Sequence, residues 1–324
     1  MHPDNNKNLN LKEVENNSNP SPLVSVIMNC RDSEKYLREA IDSVLNQSYT
    51  NWEIIFWDNQ SSDNSAKIFN DYSDSRLRYF LAPKYTKLGE ARNLAVCQAK
   101  GDYIAFLDCD DLWLPSKLEK QIKLFEKKEV GLVISDTIFF NDQKDIRQLY
   151  KTKKPPVGYV FRELLGNYYV SLETAIIRRS ILDEMDHWFD VRFQVIEEYD
   201  FFVRLGYLSE VDCVNEVLAK WRVHANSWTW TRSELFPAES KLFLAKLTKL
   251  MPNFDAIFFK EISAIKRKIA IQEAILAWKK GGSQEARKLL KPWLTRSVSA
   301  LIVYFWSLFP FRSFDVVNKM RIGL

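Results

Sequence analysis

The densest group of chemically competent side chains is Asp108-Cys109-Asp110-Asp111, three carboxylates that directly follow the apolar run Tyr103-Ile104-Ala105-Phe106-Leu107. A buried strand ending there delivers them to a sheet edge, and the alternate pair Asp108 and Asp110 then faces one side. Hard oxygen ligands at that spacing suit Mg²⁺ or Mn²⁺ shared with a diphosphate. The competing reading is a polar strand-end turn, and for Asp111 a capping role near Pro115 is the stronger one. A second acidic group, Glu197-Glu198, precedes a helix candidate over 199–208, where acids also favour the helix dipole. The histidines are His2, His187 and His224, and His187, beside Trp188 and in no motif, reads as structural.

Other chemistries are excluded by count. The nine glycines include no Gly-x-Gly, so neither the dinucleotide fingerprint nor the Lys-bearing phosphate loop is available. No Gly-x-Ser-x-Gly elbow supports a Ser-His-Asp hydrolase. Cys30, Cys97, Cys109 and Cys213 lack Cys-x-x-Cys spacing and read as reduced cytosolic thiols. No apolar run follows a basic start, so a secretory signal is not expected and the body is expected in the cytoplasm.

The elements that must position these groups can be read from periodicity. With 324 residues, 46% apolar and 27% charged, the chain can build one large domain with an appendage and is not wholly disordered. Residues 1–22 hold seven asparagines and few large apolar side chains, a composition expected to stay disordered. Strand runs follow at 24–28, 53–57, 78–81 and 103–107. Between them lie helix patterns with Asp32-Ser33 and Ser62-Asp63 as expected caps, then helices over 89–99 and over 115–128, the latter opened by Pro115. This alternation predicts a mostly parallel sheet covered on both faces, with ligands just after Met28, Trp57 and Leu107. Further strands are expected at 130–134, 174–177 and 217–222, and helices at 242–250, 262–278 and 284–294.

Six segments occur in order: Val24-Ser25-Val26-Ile27-Met28-Asn29, Ser43-Val44-Leu45-Asn46-Gln47-Ser48-Tyr49, Trp52-Glu53-Ile54-Ile55, Asp58-Asn59-Gln60-Ser61-Ser62-Asp63, Gly89-Glu90-Ala91-Arg92-Asn93 and Leu107-Asp108-Cys109-Asp110-Asp111. Together they resemble the nucleotide-sugar-binding half of family 2 glycosyltransferases, over a stretch from about Val24 to Trp228. The resemblance implies an α/β chain of the GT-A fold: a Rossmann-like, mostly parallel sheet flanked by helices over 23–232, then a helical extension over 233–324. It implies that Asn29, Asp58, Asn59 and Arg92 line the nucleotide pocket. Asn59 stands where the family usually has an Asp that accepts from uracil; an amide offers both an acceptor and a donor, and UDP- or dTDP-type donors are the expectation. By the same resemblance Asp110 is the principal metal ligand and Asp108 completes the Asp-x-Asp pair beside the donor. Glu197-Glu198-Tyr199-Asp200 is similar to the family's Glu-Asp-Tyr-Asp segment, which puts Glu198 at the position of the catalytic base. Trp221-Arg222-Val223-His224 is similar to its Tyr-Arg-x-His segment, implying His224 on the metal or diphosphate and Arg222 on phosphate.

The net charge of +4 conceals a division. From Leu235 onward there are 16 Lys/Arg against 6 Asp/Glu, which leaves the preceding body at −6. Within the basic part, residues 297–311 are uncharged, contain Pro310 and are bracketed by Arg296 and Arg312. The segment is short for a span of about 20 residues. It is expected to lie at an anionic membrane surface, with packing on the catalytic domain or on a second copy through the C-terminal helices as the alternative. No nucleic-acid module is present. The expected activity is inverting, Mg²⁺- or Mn²⁺-dependent transfer of one sugar from a nucleotide-diphosphate sugar to a hydroxyl of a glycan or lipid-linked acceptor. Such a reaction belongs to cell-surface polysaccharide assembly at the cytoplasmic face of the membrane. The missing Gln-x-x-Arg-Trp segment argues for single additions over polymerisation. The alternatives are a catalytically silent nucleotide-sugar-binding or scaffold protein of the same fold, and a nucleotidyltransferase. The last is disfavoured because Asn29-Cys30-Arg31-Asp32 stands where a Gly-rich basic loop would be.

Overall fold

The first four apolar runs form neighbouring parallel strands, β1 (Val24–Cys30), β2 (Trp52–Asp58), β3 (Leu77–Leu81) and β4 (Tyr103–Phe106), in the order β3-β2-β1-β4. The computed structural model describes residues 21–224 and 231–314. The expected leader, except its last two residues, lies outside the described residues, as does Trp228, where the resemblance ends. β2 is buried at every position and β1 at all but Asn29, because helices cover both faces of this half-sheet, and such strands carry continuous apolar runs. Helix α1 (Leu37–Leu45) seals one face with Leu37, Ala40, Ile41 and Val44. After α2 (Ser65–Asn70), α3 (Leu88–Val96) seals the other with Ala91, Ala95 and Val96. Register pairs Cys30 with Asp58 and Ile27 with Phe106, so Asn29, Asn59 and Asp108 emerge at one sheet edge. Gly101, at the approach to β4, is required: a Cβ there would sit 2.6 Å from the Ser25 nitrogen and 2.7 Å from the Leu23 carbonyl.

The parallel order expected from the strand-helix alternation covers β1 to β4, and the other half of the sheet is mixed. After the short β5 (Leu112–Trp113) and α4 (Lys117–Ile122) come β6 (Val130–Phe140) and β7 (Asp145–Gln148). Helix α5 (Phe161–Gly166), β8 (Ile176–Arg178), α6 (Arg179–Asp183), α7 (Glu197–Leu208) and β9 (Glu210–Arg222) follow. β8 is antiparallel to both β4 and β6, while β9 runs parallel to β6 and antiparallel to β5. β6 and β9 extend well past their expected limits, since Asn215 and Glu216 of β9 are exposed and interrupt the apolar signal. The expected caps also differ. The N-caps of α1 and α2 are Tyr36 and Asn64; Asp32 instead takes a left-handed φ of 51° and accepts the Ser62 N–H at 2.7 Å, tying two loops together.

The basic C-terminal region folds into α8 (Phe236–Leu250), α9 (Phe254–Ile257), α10 (Phe259–Lys279), α11 (Ser283–Leu290) and α12 (Val298–Trp306). Phe243, Leu247, Phe254 and Ile262 join the core that holds Ala91, Phe189 and Phe201. Packing thus continues across the boundary expected at residue 232. A separate apolar cluster begins further on, where Ala274 and Trp278 meet Leu290 and Val303. Among the described residues, no helix is long and apolar enough to cross a membrane.

Candidate active site

The carboxyl ends of β1, β2 and β4 open into a cleft of about 1190 Å³. Asn29, Asn59, Arg92, Asp108, Asp110, Glu198 and His224 all line it, so the edge predicted from the strand pattern is where the candidate residues meet. Asp58 and Arg222 do not line it. Asp58 is buried behind, accepting the Ser61 N–H at 2.8 Å and the Tyr79 hydroxyl at 2.7 Å, and so fixes the turn that presents Asn59. The Arg222 guanidinium is engaged by Glu39 at 2.7 Å, Asp142 at 2.8 Å and the Asp110 carbonyl at 2.8 Å. Its place relative to the expected phosphate contact is therefore one of support: it braces the loop carrying Asp110. Asp111 does not cap α4, whose N-cap is Ser116; it is buried, accepts the Arg222 N–H at 2.8 Å, and its carboxyl is pushed well up by desolvation.

At the centre of the cleft is Arg92 on α3, whose side chain is 1% exposed. It reaches Asp108 at 3.2 Å, Glu197 at 3.1 Å and Glu198 at 3.0 Å. Burial opposes its charge, but those three carboxylates outweigh burial and hold the guanidinium above its ordinary range. Burial pushes all three acids upward in turn, Glu198 to about 8, against the pull of Arg92. Glu198 nevertheless keeps 29% of its side chain open to the cleft, whereas Glu197 is sealed at 5%. Two neighbouring acids of α7 thus differ: one faces solvent and one acts as an internal counter-charge.

Across the cleft, His224 Nε2 lies 2.8 Å from Asp110 Oδ2, with both side chains partly open. Asp108 lines the same cleft, its carboxyl pushed up by burial against the pull of Arg92, but among the described residues these three are not gathered into a ready metal-holding cluster. By ligand chemistry alone, two carboxylates and an imidazole suit a Mg²⁺ or Mn²⁺ ion. Asn59 binds Thr86 through both ends of its amide: Nδ2 donates to the Thr86 carbonyl at 2.8 Å and Oδ1 accepts the Thr86 N–H at 3.1 Å. At the end of β1, Asn29 lines the cleft, with its Nδ2 buried and without a hydrogen-bond partner.

A second acidic group gathers outside the cleft, where His187, Asp190 and Asp200 lie close enough to hold a metal ion. Lys246 already fills the centre, with Nζ 2.9 Å from Asp190, 2.7 Å from Asp200 and 3.1 Å from His187 Nε2. Burial and the adjoining cations lower the His187 pKa, so its neutral ring accepts from the ammonium. The structural reading of His187 agrees with this geometry. Sequence reasoning missed Lys246, and it also missed Glu173, a buried acid at the cleft wall whose setting, Ser171-Leu172-Glu173-Thr174, carries no motif.

The profile described as Glycosyl transferase family 2 matches residues 25–186, half of the chain. The chain is a family 2 glycosyltransferase. In curated proteins, this glycosyltransferase is 30% identical over 210 residues to WfgD of Escherichia coli, a UDP-Glc:alpha-D-GlcNAc-diphosphoundecaprenol beta-1,3-glucosyltransferase, covering 63% of the chain and 79% of the relative. It is 31% identical over 250 residues to WfaP, an enzyme of the same description and organism, covering 75% and 94%. Among solved structures it is similar to mannosyltransferase PcManGT from Pyrobaculum calidifontis in complex with GDP-Man and Mn²⁺, with a TM-score of 0.61 at 15% identity over 93% of this chain and 85% of the other. It is also similar to S. aureus TarS 1-349 in complex with UDP-GlcNAc, with a TM-score of 0.56 at 18% identity over 89% and 80%. At these identities the likeness speaks for the fold alone, and the fold is GT-A.

Proposed function

We propose that this glycosyltransferase moves one sugar with inversion from a UDP- or dTDP-type donor to a hydroxyl of a lipid-linked glycan, with Glu198 as base. The observation that carries the reading is the placement of Glu198 in the same cleft as the Asp108, Asp110 and His224 set, with Arg92 bonded to both Glu198 and Asp108. Mg²⁺ or Mn²⁺ bound by that set would offset charge on the departing nucleoside diphosphate. The acceptor hydroxyl gives its proton to a Glu198 oxygen, its oxygen forms the new bond to the anomeric carbon, and the bond from that carbon to the diphosphate breaks with the electron pair leaving on phosphate. Arg92 fixes the spacing of Asp108 and Glu198, and Asn29 and Asn59 line the part of the cleft proposed for the nucleotide. The lipid-linked acceptor is supported by the named activities of WfgD and WfaP.

Membrane contact at the cytoplasmic face belongs to the same reading. Leu301, Ile302, Phe305, Leu308 and Phe309 of α12 and the turn after it are 43–63% exposed, while Ala300 and Val303 are buried. Arg267 and Arg287 reach the backbone at either end of this helix, at Arg296 and Ser307. An apolar face bordered by cations suits peripheral attachment to anionic lipid.

The test is UDP or dTDP release from a panel of nucleotide sugars, with and without Mn²⁺, in the parent and in Glu198→Gln. Glu198→Gln should keep donor binding and lose transfer by about 10²–10⁴-fold. Transfer near the parent rate in that variant would place the base elsewhere, and retention of anomeric configuration in the product would exclude inversion.

A further inference from the structure

The region after residue 232 bears directly on the base. Three successive backbone N–H groups in the approach to α7, those of Gln194, Val195 and Ile196, converge on the Glu239 carboxylate of α8 at 2.9, 3.0 and 3.3 Å. Ile196 is the N-cap of α7, so Glu239 pins the two residues that precede the helix together with the N-cap N–H, fixing the entry of the chain into its first turn. Glu239 is buried, and the segment it holds both lines the cleft at Gln194 and Val195 and leads straight into Glu197 and Glu198. Two helical turns further along the same face of α8, Lys246 bonds Asp200 of α7 and Asp190 before it. Both contacts are charge-assisted, the Lys246 pairs and the Ile196 bond are buried, and such bonds are strongest and least tolerant of loss there.

We infer that α8 is a splint for the catalytic helix, with Glu239 as the positioning residue that sets where Glu198 stands relative to the cleft. This rests on Glu198 being the base. Glu239 touches neither donor nor acceptor side of the cleft; it acts through the backbone of 194–196. The consequence is that the catalytic unit extends at least to α8, and the apparent tail supplies part of the active-site scaffold. Misplacing a base by about 1 Å costs on the order of 100-fold in rate.

The experiment compares the full-length parent with Glu239→Ala, Glu239→Gln and Glu198→Gln. Two measurements are made: Mn²⁺-supported UDP release from UDP-glucose, as kcat and KM, and amide hydrogen exchange of the 194–200 segment. Glu239→Ala is expected to lower kcat about 100-fold with the KM for UDP-glucose within a factor of two, and to speed exchange at 194–196. Glu239→Gln, which keeps one carbonyl acceptor, should recover part of the rate. If Glu239→Ala is folded and its kcat is within twofold of the parent while Glu198→Gln is inactive, the positioning role is wrong and the base assignment stands. If Glu198→Gln is itself active, the base assignment fails first. Where Glu239→Ala does not fold, Glu239→Gln decides: a kcat and exchange pattern equal to the parent overturns the inference, and a reduced kcat at unchanged KM with faster exchange supports it.

Discussion

Replacing Arg92 with Met tests whether one guanidinium holds the cleft together. The substitution keeps most of the side-chain volume and removes the charge that faces Asp108, Glu197 and Glu198 at 3.0–3.2 Å. Removing one partner from a buried ion pair costs about 3–5 kcal/mol when the remaining charge is uncompensated. Most of that cost comes from the sealed Glu197 and the largely buried Glu198, because Asp108 is 37% exposed and water screens it. For a domain of this size each kcal/mol lowers Tm by about 1.5 °C, so the expected loss is about 4–7 °C at high pH. The sign of the pH dependence follows from the acids. Burial raises Glu198 to about 8, so the folded protein holds a proton there that the unfolded chain releases from the ordinary carboxylate range upward, and stability falls with pH through that window. Without Arg92 the folded-state value rises further and the penalty continues above about 8, whereas well below that Glu198 is neutral in both folded proteins and gives the guanidinium no charge to meet. The part of the gap that Glu198 carries should therefore grow from pH 6 through pH 8 to 9, so the total gap widens over that range. Thermal unfolding of the metal-free proteins across that range is the assay. A loss equal at pH 6 and pH 9, or below about 1.5 °C at pH 9, would refute the account.

Three further outcomes follow from the geometry. Asp110→Ala with His224→Ala should abolish the Mn²⁺ enhancement of UDP binding seen by calorimetry, and an enhancement equal to the parent's removes both from the ion site. The transfer rate of the parent should rise with pH toward about 8 as Glu198 loses its proton, and the residual rate of Glu198→Gln should lack that limb; a shared limb assigns the titration to another group. Combined Leu301→Ser, Phe305→Ser and Phe309→Ser changes should weaken sedimentation with phosphatidylglycerol vesicles at least tenfold while UDP binding survives, whereas unchanged sedimentation would clear α12 of lipid contact.

What the sequence disclosed, it disclosed through local order. Asn29 and Asp108 each end an apolar run, and parallel pairing of two such runs leaves little freedom in where their ends come out. Glu198 and His224 were found by likeness of short segments, and both line the cleft. Asp58 and Arg222 lie in equally recognisable segments but turn away from it, because their partners are set by tertiary packing: Arg222 meets Glu39 and Asp142, 183 and 80 residues away. The same reason hid Glu239 and Lys246. On a helix from a strongly basic region they look like ordinary solvated charges, and only the docking of α8 on α7 reveals that both are buried. A charge count sees the sign of a side chain but not the neighbour it was placed to meet.

The ammonium between Asp190 and Asp200 is tethered to the backbone, so no chelator can extract it and no rival ion can displace it. On the proposed metal-dependent reading, EDTA should switch off transfer without loosening α7. The counter-charge at the helix junction is inherited with the gene, whereas an ion in the cleft, on the proposed function, would have to come from outside the chain.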